Sequence, residues 1–134
     1  MRILLIIVLA FVGTLLTPKT IWAGDFSTEF LSTYEISATA TTMVTHQIGI
    51  TNQTANVYVS EYSVRVGGTN IAEVRAFDNN GTLPITIKSE QNSTNISVSF
   101  ENRPVVGKDK NNQFTLQYKN GDVATITGKV LELN

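Results

Sequence analysis

Apolar side chains in this chain recur at every second position, and that period of two is what most constrains its fold. Only an extended strand turns alternate side chains to opposite faces. Phe26, Phe30, Tyr34 and Ile36 share one parity, while Ser27, Glu29, Thr33 and Glu35 hold the other. Val44, Ile48 and Ile50 repeat the pattern against Thr45, Gln47 and Thr51. Tyr58, Tyr62, Val64 and Val66 share a face of a run from Val57 to Val66, and Val74 and Ala76 oppose Glu73 and Arg75. Ile85 and Ile87, then Ile96, Val98 and Phe100, then Phe114, Leu116 and Tyr118 continue the alternation. These residues form the predicted core, and their burial is the main stabilising contribution at about 25 cal/mol per Å² of apolar surface.

Turn chemistry separates the runs. Asn52 to Asn56, Gly67-Gly68-Thr69-Asn70, Gln91 to Thr94 and Asn120-Gly121-Asp122 are breaks, because Asn and Gly tolerate positive φ. Asp78-Asn79-Asn80-Gly81 predicts a tight hairpin with both central residues at positive φ. Pro84 stands near the start of the next strand, where a missing N–H does least harm. Glu101 to Asn112 is a charged loop around Pro104 and Gly107. Helical spacing with a cap is missing after residue 23, a possible single turn over Asp122 to Thr125 aside. Seven or eight short strands therefore predict an all-β fold, an antiparallel, immunoglobulin-like β-sandwich.

The chain opens with a predicted export signal. Arg2 supplies the positive start, Ile3 to Leu16 the apolar stretch, Pro18 ends the helix, and Ile21-Trp22-Ala23 places a small residue before the cut. The expected organisation is a signal peptide over 1–23 and one sandwich domain over 24–134. The apolar run is shorter than the roughly 20 residues a membrane span requires, and extending it places Lys19 in hydrocarbon. Cleavage after Ala23 is favoured over an uncleaved anchor, so the membrane is met only through the signal segment before cleavage. The expected location is extracytoplasmic or secreted.

Without Arg2 and Lys19, eight basic and eleven acidic side chains leave a net charge of −3. That thin acidity argues against nucleic acid and anionic lipid as partners. With no cysteine the core must hold by packing alone, a commoner design in bacterial envelopes than in small disulfide-rich secreted animal domains. Four Asn-x-Ser/Thr sequons, at Asn52, Asn80, Asn92 and Asn95, are close to the number that so Asn-, Ser- and Thr-rich a chain gives by composition. They mark turns.

Few residues carry chemistry. His46, the single histidine, follows the parity of Val44 towards the core or a sheet edge, and a structural role is expected. A Ser-His-Asp arrangement around it has no supporting G-x-S-x-G motif. Asp78 with Asn80, and Asp109 with Asn111, offer oxygens to Ca²⁺, but the ligands are too few and the glycine is misplaced for an EF-hand. No catalytic residue, metal or cofactor is expected. Sugars stack on exposed aromatic faces, and with Trp22 removed in the signal the candidate platform is Tyr58 beside the Asn52–Asn56 turn. Tyr58, with Lys108, Asp109 and Lys110 of the charged loop, forms the candidate binding surface.

Asp25-Phe26-Ser27-Thr28-Glu29-Phe30 after the signal, Ile48-Gly49-Ile50-Thr51-Asn52, Ile71-Ala72-Glu73-Val74-Arg75-Ala76-Phe77-Asp78, Val106-Gly107-Lys108 before Phe114-Thr115-Leu116-Gln117-Tyr118, and Gly128-Lys129-Val130-Leu131-Glu132-Leu133 form a series. It resembles the N-terminal β-module of secreted bacterial transglutaminase-like proteins, over nearly all of residues 24–134. In those proteins the papain-like Cys-His-Asp machinery lies downstream of the module. No position here can take the nucleophile, so the resemblance implies a non-catalytic accessory or spacer domain that orients or docks a downstream catalytic domain at the cell surface. The strand character of Lys129 to Asn134 fits both a chain that continues and a sandwich that ends on a strand. The alternative is a stand-alone exported module that binds a glycan or an envelope protein through a strand edge or the Glu101–Asn112 loop.

Overall fold

The computed structural model describes residues 24–134, and the predicted signal segment lies outside them. Ten strands form: β1 (Phe26–Ile36), β2 (Thr42–Asn52), β3 (Glu61–Gly67), β4 (Ile71–Asp78), β5 (Gly81–Leu83), β6 (Ile85–Ser89), β7 (Ser93–Ser99), β8 (Asn111–Asn120), β9 (Ala124–Thr127) and β10 (Val130–Leu133). All pairings are antiparallel. A five-stranded sheet in the order β1-β2-β8-β4-β5 packs against a three-stranded sheet in the order β3-β7-β6, and β9 and β10 form a separate hairpin. The result is an antiparallel β-sandwich.

Its core follows the alternation. Val44, Ile48 and Ile50 of β2, Phe114, Leu116 and Tyr118 of β8, and Ala76 of β4 meet Val66, Ile96, Val98 and Phe100 from the other layer. Phe114 makes edge-to-face contacts with Phe100 at 5.0 Å and with Tyr62 at 5.8 Å between ring centroids, the geometry that sets a positive ring edge against a negative face.

Ten strands replace the expected seven or eight because of two local events. At Pro84 the chain leaves β5 in the large sheet and enters β6 in the small one; with no N–H to give, proline suits a break between two ladders. Asp122 to Thr125 forms no helical turn, since β9 begins at Ala124 and the Asp122 carboxylate accepts the Thr69 and Asn70 N–H groups, both at 2.9 Å.

The Asp78–Gly81 hairpin is also built differently from the expectation. Asp78 pairs with Gly81, and only Gly81 takes a positive φ, of 116°. Asn79 and Asn80 stay out of the left-handed region because Asp78 Oδ1 accepts the Asn80 N–H at 2.7 Å, a side-chain-closed turn that leaves the strained conformation to glycine.

Part of the predicted core is not buried. Phe26, Phe30 and Tyr34 keep 38, 49 and 54 % exposure on the core-side parity of β1. Five strands face three, so the small sheet leaves that edge uncovered. Ile87 is exposed for a related reason, lying on β6 at an edge of the small sheet. Tyr58 falls outside β3, which starts at Glu61, and is half exposed.

Candidate functional site

Asn52, the last core-side residue of β2, assembles the surface expected from sequence. Its buried amide donates to the carbonyls of Val57 at 3.0 Å, Val105 at 2.8 Å and Gly107 at 3.0 Å. Its backbone N–H donates to Lys110 O, and the Asp109 N–H donates to Asn52 O, both at 2.9 Å. One side chain therefore ties the segment leading to Tyr58 and the loop carrying Lys108, Asp109 and Lys110 to the same end of the sandwich. All four are exposed. Asp109 sits at φ 60° and Gly107 at φ 120°, so the loop is a tight turn closed on Asn52, and the larger clefts lie elsewhere. The other oxygen-bearing turn is engaged: Asp78 Oδ1 accepts Arg103 Nη1–H at 2.7 Å. Among the described residues no three His, Cys, Asp or Glu side chains converge on one point.

His46 lies on the core side of β2, 4 % exposed. Register places Ser32 of β1 and Leu116 of β8 opposite it, and both ring nitrogens are used. Nδ1 lies 2.8 Å from Ser32 Oγ and Nε2 lies 2.9 Å from Tyr118 Oη. The ring packs between Phe30, at 4.8 Å, and Tyr118, at 5.4 Å. Burial lowers the His46 pKa, because an imidazolium would lose its hydration. Burial, with a smaller contribution from the charge of Tyr34, pushes Tyr118 up to about 12. A serine nucleophile needs a histidine whose protonated form is stabilised by a negative third group. Tyr118 is a neutral phenol across the physiological range, so the Ser32–His46–Tyr118 chain reads as a satisfied packing network.

On the outer face of the five-stranded sheet, register lines up Leu31, Gln47, Thr115 and Phe77 across β1, β2, β8 and β4. Glu29 and Gln113 flank this row across Gly49. These residues, with Asp78 and Asn79, line a cleft of about 460 Å³. Three inter-strand steps of about 4.8 Å separate the Leu31 end from the Phe77 end, roughly 14 Å. Its polar side chains are mainly amides and hydroxyls, which both donate and accept hydrogen bonds, and Arg75 stacks over the Phe77 ring at 5.9 Å.

Sequence reasoning passed over Ser32, Tyr118 and Asn52 as partners. Asn52 was legible in part, since it extends the Val44–Ile50 parity by one step. Ser32 and Tyr118 meet His46 only through the β1–β2–β8 order, which no local pattern encodes.

No protein-family model matches the chain, and no curated protein matches it.

Proposed function

We propose that residues 24–134 form a non-catalytic extracytoplasmic β-sandwich module that spaces and docks a neighbouring catalytic domain, the N-terminal accessory part of a secreted or cell-surface transglutaminase-like protein. The segments quoted above support the family. The observation that carries the docking role is the β9–β10 hairpin. Register puts Ala124, Ile126, Leu131 and Leu133 on one face and Thr125, Thr127, Val130 and Glu132 on the other. Ala124 is buried, whereas Ile126, Leu131 and Leu133 are exposed. A two-stranded hairpin is marginal alone in water, and a contiguous apolar face on it suits contact with another domain. The genomic sequence after the Asn134 codon tests this: a frame continuing into Cys and His motifs is expected, and an immediate stop codon overturns the accessory role. A fluorophosphonate probe is expected to leave Ser32 unlabelled; labelling would make the His46 network nucleophilic.

The outer cleft favours a second reading, a stand-alone module for a neutral glycan. Hydroxyl-rich ligands match the Gln47, Gln113 and Thr115 side chains, and Phe77 offers an apolar shoulder for a sugar ring. A glycan screen is expected to show binding that Phe77→Ala and Gln113→Ala both weaken by about tenfold, the worth of roughly 1.4 kcal/mol. Binding lost instead on Tyr58→Ala would move the site to the Asn52 end.

A further inference from the structure

The two edges of the five-stranded sheet are built differently. At one, β5 has three residues and runs into Pro84, a short, proline-ended strand of the kind that resists pairing with another chain. At the other, β1 has eleven residues in unbroken register with β2. It contains no proline, lysine, arginine or bulge, and no strand lies against its outer edge among the described residues. Apolar side chains stand on both its faces, Leu31 outward and Phe26, Phe30 and Tyr34 inward, all exposed. Such an edge is a template for a further strand.

We propose that β1 is a homodimer interface, in which two copies pair β1 with β1 antiparallel about a two-fold axis through Leu31 and join their sheets into one. A strand pairing with itself in this way is self-complementary, so the contact closes at two copies. Leu31 is the midpoint of β1, and this register alone pairs the whole strand. It also opposes no like charges: Glu29 meets Thr33 of the partner subunit, and Glu35 meets Ser27 of the partner subunit. An axis through Ser32 would set Glu29 against Glu35 of the partner subunit, and one through Phe30 would set Asp25 there, pairings that cost stability. Leu31 packs on its own counterpart. An aromatic side chain hides about 150–250 Å² when covered, so the exposed parts of Phe26, Phe30, Leu31 and Tyr34 offer roughly 350 Å² per copy. That is nearly half of the about 800 Å² per partner in a standard interface, and the paired backbones add to it.

The interface goes beyond the docking role of the hairpin and fails separately from it. The chain has no cysteine, so one introduced thiol reads the contact. Cα atoms of directly opposed antiparallel residues lie about 4.5–5.5 Å apart, within disulfide range. Mild oxidation of the exported Leu31→Cys protein is expected to give mostly covalent dimer, and Leu131→Cys, on the exposed hairpin, mostly monomer. In sedimentation velocity at high micromolar concentration the unsubstituted protein is expected to be a dimer. Leu31→Lys, which opposes two cations at the axis, should return it to monomer with unchanged circular dichroism. A monomeric protein whose Leu31→Cys form does not cross-link, or a dimer that survives Leu31→Lys, overturns the proposal; a monomer would leave the hairpin's docking role untouched.

Discussion

Phe30 and Ile48 face each other across the β1–β2 ladder, yet Ile48 is 2 % exposed and Phe30 is 49 % exposed. The two share a face of the sheet, and the difference between them is set by the second layer, which covers β2 and leaves β1 open.

That contrast predicts unequal costs of truncation. Under monomeric conditions Ile48→Ala should destabilise by about 2–5 kcal/mol, the usual loss for a closed core position, and Phe30→Ala by less than about 1.5 kcal/mol. Urea unfolding of the two variants measures the difference, and equal costs would mean that β1 is covered.

His46 should make the fold acid-sensitive. Its pKa is lowered by burial from 6.5, so below that value the unfolded chain takes up a proton that the folded one refuses. Its stabilising contribution is intact above pH 6.5 and is lost as the pH falls through the lowered folded-state value. Denaturant midpoints measured from pH 7.5 to 5 should fall, and His46→Gln should flatten that part of the decline.

Tyr118 acts at the other end of the scale. Its pKa is raised from 10.0 to about 12, so above pH 10 the unfolded chain gives up a proton that the folded state keeps. Stability should drop by up to about 2 kcal/mol between pH 10 and pH 12. Tyr118→Phe should remove that drop, while costing about 1–3 kcal/mol at pH 7 because His46 Nε2 loses its partner. Thermal melts at pH 7 and pH 11 separate the two effects.

Asn52 predicts an asymmetry between two small substitutions. Asn52→Ala frees three carbonyls and should cost about 2–3 kcal/mol. Asn52→Asp sets a carboxylate against the same three carbonyls and should cost more. Limited proteolysis should cut both variants within Glu101 to Lys110 faster than the parent protein. Equal stability of the two variants would show that the amide does not hold the loops.

Thr42 offers a gain. Its hydroxyl is fully buried without a hydrogen-bond partner among the described residues, and an orphaned buried hydroxyl costs about 1–3 kcal/mol. Thr42→Val, close in shape and with nothing to satisfy, should raise the midpoint of unfolding by up to that amount. A fall would reveal a partner for the hydroxyl.

The strands were legible because the pattern that makes them is local. The alternation of Val44, Ile48 and Ile50, of Ile96, Val98 and Phe100, and of Phe114, Leu116 and Tyr118 follows from the pleat, in which each residue's face depends only on its parity. The Asp78–Gly81 hairpin was legible for the same reason, although the φ angles of Asn79 and Asn80 depended on a hydrogen bond within the turn.

The sequence by itself determined that the fold is all-β and where most strands run, and it put His46 on the parity of Val44 without deciding between the core and a sheet edge. Tertiary structure decided which inward-facing residues are buried. Phe26, Phe30 and Tyr34 carry the same periodic signal as Ile48 and Ile50 but lie where three strands do not reach across five. It also decided that Ser32, His46 and Tyr118 form one network, and that Asn52 gathers Tyr58 and Lys108 to Lys110 at one end. Strand order and sheet width arise from contacts between residues far apart in the chain. A period of two records the face a side chain takes, and carries no information about what lies opposite it.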